Sequence, residues 1–253
     1  MKKSYKQIVE KIYYNNIKQY IAASTLKKLI SKIRYYNAKG VSPKIRLLLS
    51  DANSRYKQLY NINTYSQLID SIYKLRLDAS LYIRPGALII DNDISSLNNL
   101  IVKAADKLKD IYIEYDSYFG RLIDNVSSLA YYPNIYLEIP ISRIGLIDDS
   151  SISRMKGFSV YANDINVNEL IDRLSPYSDK NIVIAEWDIK RINSIMRADH
   201  NYAIEVLYGP ASTLLNSYNL QLSMPYGRYW QYYIDKYKIS SIKAKVMKKI
   251  FKL

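Results

Sequence analysis

The sequence predicts an α/β fold, a compact or incomplete (β/α) barrel-like parallel sheet with basic helical extensions at both termini. Two observations carry this expectation. From Lys44 onward, short β-branched or aromatic runs alternate with amphipathic helical stretches, the pattern of parallel strands joined by right-handed crossovers. The later runs recur about every 21–25 residues, a tight period for βα units. Seven or eight such units in series favour a barrel. About 250 residues is typical for a full (β/α)₈ barrel and this stretch is shorter, so an open doubly wound sheet stands as the alternative.

The elements follow in order. Residues 3–38 read as two basic amphipathic helices, the first carrying Ile8, Val9, Ile12, Ile17 and Ile21 at near-helical spacing. The second carries Leu26, Leu29, Ile30 and Ile33, with Ser24 or Thr25 as its cap. Gly40 and Pro43 close this segment. Strands are expected at Lys44–Leu49, Leu81–Asp91 (in one piece or split at Pro85-Gly86), Ile111–Asp116, Ile135–Ile141, Phe158–Ala162, Ile182–Trp187 and Tyr202–Tyr208. Helices are expected at Ser95–Leu108, Val167–Leu174 and Ile189–Met196. The final segment, Tyr237–Leu253, is a basic amphipathic helix with Ile239, Ile242, Val246, Ile250 and Leu253 on one stripe. It could dock on the barrel, grip nucleic acid or lie on an anionic membrane surface. The expected organisation is thus an extension over 1–40, the βα-repeat domain over 41–225 and the C-terminal helix over 226–253.

Composition narrows the chemistry. The chain has no cysteine, which excludes disulfides, thiolate zinc sites, iron–sulfur clusters and cysteine nucleophiles, and fits a reducing or a hot compartment. Its one histidine, His200, excludes mechanisms needing two imidazoles and reads as a loop residue rather than a base. Neither glycine-rich phosphate-loop motif is present. No apolar run reaches the ~20 residues of a membrane span, and the start lacks a secretion signal, so a cytoplasmic location is expected.

Carboxylates cluster near the predicted strand ends: Asp91 and Asp93, Glu114 and Asp116, Glu138, Glu186 and Asp188, and Glu205. Active sites of parallel barrels are built at the C-terminal strand ends, and residues two apart on a strand share a face. Asp91, Asp93, Glu114, Asp116, Glu186 and Glu205 are therefore the catalytic candidates, able to hold Mg²⁺ or Mn²⁺ or to act as acid and base. The competing reading is that such acids cap the helices that follow.

Asn181-Ile-Val-Ile-Ala-Glu186-Trp-Asp-Ile-Lys-Arg-Ile192, followed by Ile204-Glu205-Val-Leu-Tyr-Gly209-Pro-Ala211 and Leu222-Ser223, resembles the collagenase-like peptidase family (unclassified peptidase family thirty-two). Pro43–Ser50 and Ser66–Tyr82 echo its opening strand and helix. In that family a strand ending in Ala/Ser-Arg-Glu precedes a helix and a Glu-x-Phe-x-His-Gly-Ala-x-Cys segment. Glu186, Glu205 and Gly209 match its two glutamates and its glycine, with Ala211 offset by one. Tyr208 stands before Gly209 where the signature histidine belongs, and the signature cysteines are absent. The resemblance implies a degenerate member without an iron–sulfur cluster. A second echo lies in Leu88-Ile-Ile-Asp91-Asn-Asp93 and Ser153-Arg-Met-Lys-Gly157-Phe-Ser159, which are similar to the metal and Ser-Gly-x-x-Gly-x-His motifs of archaeo-eukaryotic primases, with Ser159 in the histidine's place.

The net charge of +14 attracts polyanions, nucleic acid first. The 27 tyrosines either supply stacking faces for unpaired bases or reflect the codon bias of an AT-rich genome. The expected function is a noncatalytic or weakly catalytic nucleic-acid-binding protein, RNA favoured, or an assembly protein. Lys2, Lys3, Lys27, Lys28, Lys243, Lys245, Lys248, Lys249 and Lys252 would make its phosphate contacts, and the terminal helices could also take protein partners. The alternatives are a metal-dependent enzyme on nucleic acid or nucleotides and a subunit of a larger complex or virus particle. No cofactor is expected outside the enzyme alternative.

Overall fold

The computed structural model describes residues 21–91, 93–115, 133–146, 156–161, 165–186, 188–198, 202–209, 215 and 220–227. Eight strands, all parallel, form a closed barrel in sequence order: β1 (Lys44–Leu48), β2 (Ser80–Ile83), β3 (Ile111–Glu114), β4 (Ile135–Pro140), β5 (Gly157–Tyr161), β6 (Asn181–Ala185), β7 (Ala203–Leu207) and β8 (Leu220–Gly227). β1 pairs with both β2 and β8. Followed around the ring, the register climbs eight residues before it closes, the shear of a (β/α)₈ barrel. The barrel is thus complete, and the open-sheet alternative falls.

Among the described residues five helices flank it: α1 (Leu26–Asn37), α2 (Arg55–Lys74), α3 (Ser95–Ala105), α4 (Val167–Leu174) and α5 (Ile189–Arg197). Four of them start on a side chain that accepts a backbone N–H, namely Thr25, Ser54, Asn166 and Asp188, as helix N-caps do. No helix among the described residues is long and apolar enough to cross a membrane.

Each strand alternates. Ile45, Leu47, Leu81, Ile83, Ile113, Leu137, Val160, Ile184, Val206 and Leu222 belong to one apolar core, which helix residues such as Leu29, Leu68, Ile69, Ile101 and Leu170 complete from outside. Their neighbours Lys44, Arg46, Tyr82, Tyr112, Glu138, Ser159, Glu205 and Ser223 turn the other way, into the barrel. Because the side-chain period of a strand is two, the apolar residues seal the barrel wall to its helices and leave the lumen polar.

α1 precedes the first strand yet completes the barrel coat. The Ala22 N–H donates to Pro225 O at 2.8 Å and Ala23 bridges Tyr226 at the end of β8. At the other end, Asn37 Nδ2 donates to Asp78 O at 2.7 Å, just before β2. The helix therefore runs antiparallel to the strands, with Leu29 and Ile33 fully buried in the barrel's own core.

Three elements depart from expectation. The run expected as Leu81–Asp91 is a four-residue strand followed by a 3₁₀ turn at Pro85–Ala87, because proline cannot donate to a sheet ladder. Buried amides of α2 hold the segment after it: Gln58 Nε2 donates to Leu88 O at 2.7 Å and Asn61 Nδ2 to Ala87 O at 2.8 Å. α2 and β8 are additions, elements for which no bounds were expected. The expected helices over residues 3–21 and 237–253 lie outside the described residues, except for Ile21.

Candidate functional site

The register stacks the inward side chains in four-residue layers drawn from alternate strands. From the N-terminal end these are Ser80, Tyr136, Val183 and Gln221; then Lys44, Tyr112, Ser159 and Glu205; then Tyr82, Glu138, Ala185 and Ser223; then Arg46, Glu114, Tyr161 and Leu207. Such layers are usually filled by branched apolar residues. Here the middle of the barrel holds two cations and two carboxylates.

The four charges close on one another. Arg46 donates through Nη1 to Glu138 Oε1 at 3.0 Å, through Nε to Glu205 Oε1 at 3.0 Å and to Ser223 Oγ at 2.7 Å, and through Nη2 to both glutamates. Lys44 Nζ donates to Glu205, to Ser159 Oγ at 3.2 Å and to Glu138 at 3.3 Å. All four side chains are at most 2% exposed. Tyrosine faces cover the cations: Lys44 Nζ lies 3.6 Å from the Tyr112 ring centre and the Arg46 guanidinium 4.3 Å from that of Tyr82. Tyr112 stacks on Tyr136 at 4.7 Å. Burial would raise the Glu205 carboxyl, but Arg46 and Lys44 beside it hold it below the ordinary range. Burial draws Lys44 below the usual lysine value, and Glu205 opposes that pull. A balanced, hydrogen-bonded cluster of this kind can stay ionised away from water. It cross-links β1, β4, β5, β7 and β8 from inside.

The remaining catalytic candidates do not converge. Glu114 sits at the top of the stack with Arg84 Nε 3.6 Å away; Arg84 also donates to Leu49 O at 2.7 Å and pairs with Asp51. Glu186 accepts the Asp188 N–H at 3.0 Å and Arg191 Nε at 2.7 Å. Asp188 caps α5 by accepting the Lys190 and Arg191 N–H groups. Asp91 and Asp93 end no barrel strand: Asp91 adopts a left-handed φ of 52° in a turn bridging Ile90 and Asp93. Asp93 accepts from the Ser95 side chain and from its N–H, which hold its carboxyl below the ordinary value. Asp116 and His200 lie outside the described residues, as do Lys2, Lys3, Lys243, Lys245, Lys248, Lys249 and Lys252. Among the described residues, no three acids or histidines gather as metal ligands do. Lys27 and Lys28 are exposed on α1.

Two features went unread in the sequence. The first is the pair Lys44 and Arg46, whose spacing of two within a strand would have put both on one face. The other is a cleft of about 460 Å³ beside the C-terminal ends of β1 and β8. Leu48 and Gly227 form its strand side. Tyr56, Lys57 and Tyr60 of α2 form its helix side, and Tyr226 lines it as well. Tyr56 and Tyr60 are one helical turn apart and 81% and 52% exposed, and Lys57 Nζ lies 4.9 Å from the Tyr60 ring centre. Burial, and then the neighbouring Tyr60, raises the Tyr226 hydroxyl above its ordinary value. Among the described residues, no carboxylate lines the cleft.

No protein-family model matches the sequence and no curated protein matches it significantly. Solved structures do match the fold. The crystal structure of proline utilization A (PutA) from Bdellovibrio bacteriovorus inactivated by N-propargylglycine is similar with a TM-score of 0.68 at 11% identity, over 95% of this chain and 33% of that one. Proline utilization A from Corynebacterium freiburgense is similar with a TM-score of 0.62 at 10% identity, over 98% of this chain and 34% of that one. The chain thus spans about a third of each, and at these identities what it shares with them is the α/β barrel.

Proposed function

We propose that the chain is a noncatalytic or weakly catalytic nucleic-acid-binding protein of the cytoplasm, with RNA as the favoured partner. One observation carries the reading. From Lys11 to Val41 the sequence holds seven lysines and arginines and no acidic residue. The part of this stretch that forms α1 exposes Lys27, Lys28, Arg34, Tyr35 and, just beyond it, Lys39. Such a face favours phosphates without local repulsion. Exposed tyrosines beside it suit the unpaired bases by which RNA is read. The engagement of Glu114, Glu138 and Glu205 with buried cations, and of Glu186 with Arg191, supports the noncatalytic side of the proposal.

Electrophoretic binding to single- and double-stranded RNA and DNA across a salt series tests it. Binding is expected to weaken linearly in log–log form as salt rises. Lys27→Ala with Lys28→Ala is expected to reduce the slope by about 1.4 on a single strand, two contacts at ~0.7 each. Absence of binding at low salt overturns the proposal.

A further inference from the structure

The cleft between α2 and the ends of β1 and β8 has the chemistry of a base-stacking subsite, and we propose that it holds nucleobases of single-stranded nucleic acid. This rests on the nucleic-acid-binding reading and assigns to it a place and a strand type.

The argument starts from α2. Tyr56, Tyr60 and Thr64 fall four residues apart and form one ridge along the helix, and all three line the cleft. An aromatic ring left 81% exposed contributes little to its own fold. Exposed large apolar groups gathered in a concave site mark contact surfaces. The other described tyrosines that are as open as these, Tyr35 and Tyr73, lie outside the cleft.

The surroundings select the occupant. Ser24, also in the lining, stands just before α1, whose first turn carries the exposed Lys27 and Lys28. Lys57 adds a cation within it, and among the described residues none in the lining is acidic. Aromatic faces flanked by cations without carboxylates bind a strand whose bases are free to stack and whose phosphates run alongside. A duplex keeps its bases stacked on one another and offers this cleft only its backbone. Strand ends bound the site from below. Gly227, at φ 127°, lets β8 lie against β1, where an added Cβ would sit 2.9 Å from Leu48 O.

The test is fluorescence anisotropy of the full chain with two labelled oligomers of equal length: single-stranded oligouridylate and an abasic sugar–phosphate strand. Wild type is expected to bind the uridylate about tenfold more tightly than the abasic strand, the lower range of one stacked base. Tyr56→Ala with Tyr60→Ala is expected to erase that preference while leaving abasic binding and its salt slope unchanged. Tyr56→Phe with Tyr60→Phe, which keeps both rings, is expected to retain it. Thermal unfolding of each variant confirms that these exposed positions leave the fold intact. Equal affinity of wild type for the two strands, equal loss on both in the alanine variant, or tighter binding of duplex overturns the stacking subsite while leaving phosphate binding standing. Absence of binding to either strand at low salt overturns the broader reading and the subsite together.

Discussion

Arg46 is the residue on which the lumen depends most. Its guanidinium reaches both buried glutamates and Ser223 through three nitrogens, where Lys44 reaches the glutamates and Ser159 through one. Arg46→Leu would leave Glu138 and Glu205 inside the barrel with Lys44 alone, so a loss of about 3–5 kcal/mol is expected, the usual cost of breaking a buried pair from one side. Urea unfolding would measure it. Replacing Lys44, Arg46, Glu138 and Glu205 together by Met or Leu removes the desolvation cost along with the attraction. That variant is expected to stay folded and to recover most of the loss. A quadruple variant no more stable than the single one would mean that the cluster makes a net contribution that apolar packing cannot replace. Gly157 sets a second limit. A Cβ there would lie 1.9 Å from Asn181 O across the β5–β6 pair, so Gly157→Ala is expected to cost about 1–3 kcal/mol or more through strand displacement, read by the same unfolding experiment.

At the scale of elements, hydrophobic period located six strands within one or two residues at each end. It also placed α4 at its observed bounds and narrowed the cap of α1 to Ser24 or Thr25, of which the structure uses Thr25. Those elements carry strong local signals: β-branched runs, an apolar stripe, a capping side chain. α2 and β8 carry weaker ones. α2 buries Gln58, Asn61 and Tyr65 on its inner face, so its core stripe is written partly in polar letters. β8 alternates Leu220, Leu222 and Met224 with Gln221 and Ser223 and then meets Pro225, which reads as a loop until seven other strands require it. The site was less legible than the fold. Strand-end acids were visible, but which cation each one faces is decided by register across the ring, and a single sequence does not display that.

The packing of α2 on α3 offers a test at the same scale. Asp70 accepts from Lys103 and Lys107 at 2.8 Å each, and these hydrogen bonds lower its carboxyl to about 2. A depressed carboxyl contributes stability that is fully present above its unfolded value, ordinarily near 4, and lost as pH falls through about 2. The site is partly open to solvent, so the contribution is expected to be under about 1 kcal/mol. Asp70→Asn should lower the midpoint of urea unfolding slightly at pH 7. The gap to wild type should narrow between pH 4 and pH 2, and high salt should shrink it at every pH. A gap that stays constant with pH would place the effect in packing rather than charge.

At the scale of the whole molecule, the barrel separates its charges into two populations. Two cations and two acids are spent within the lumen, which leaves the net charge of +14 as a property of the rest of the chain. Charge in the lumen is shielded from salt and charge on the surface is not. Raising salt is therefore expected to weaken polyanion binding steeply while leaving the unfolding midpoint of the barrel nearly unchanged, a separation measurable on one sample.

The contact of Ala22 and Ala23 with the end of β8 has a consequence in time. A ribosome makes α1 before the eight strands of the barrel and β8 after the other seven, so the helix that emerges early waits for a partner some two hundred residues later. Until then Leu29 and Ile33 lack their full cover, and β1 and β7 each present an unpaired edge open to neighbouring chains. Nascent chains interrupted before Leu220 are thus the form in which this protein is most exposed to aggregation, and completion of the last strand closes both edges and covers the waiting helix in a single event.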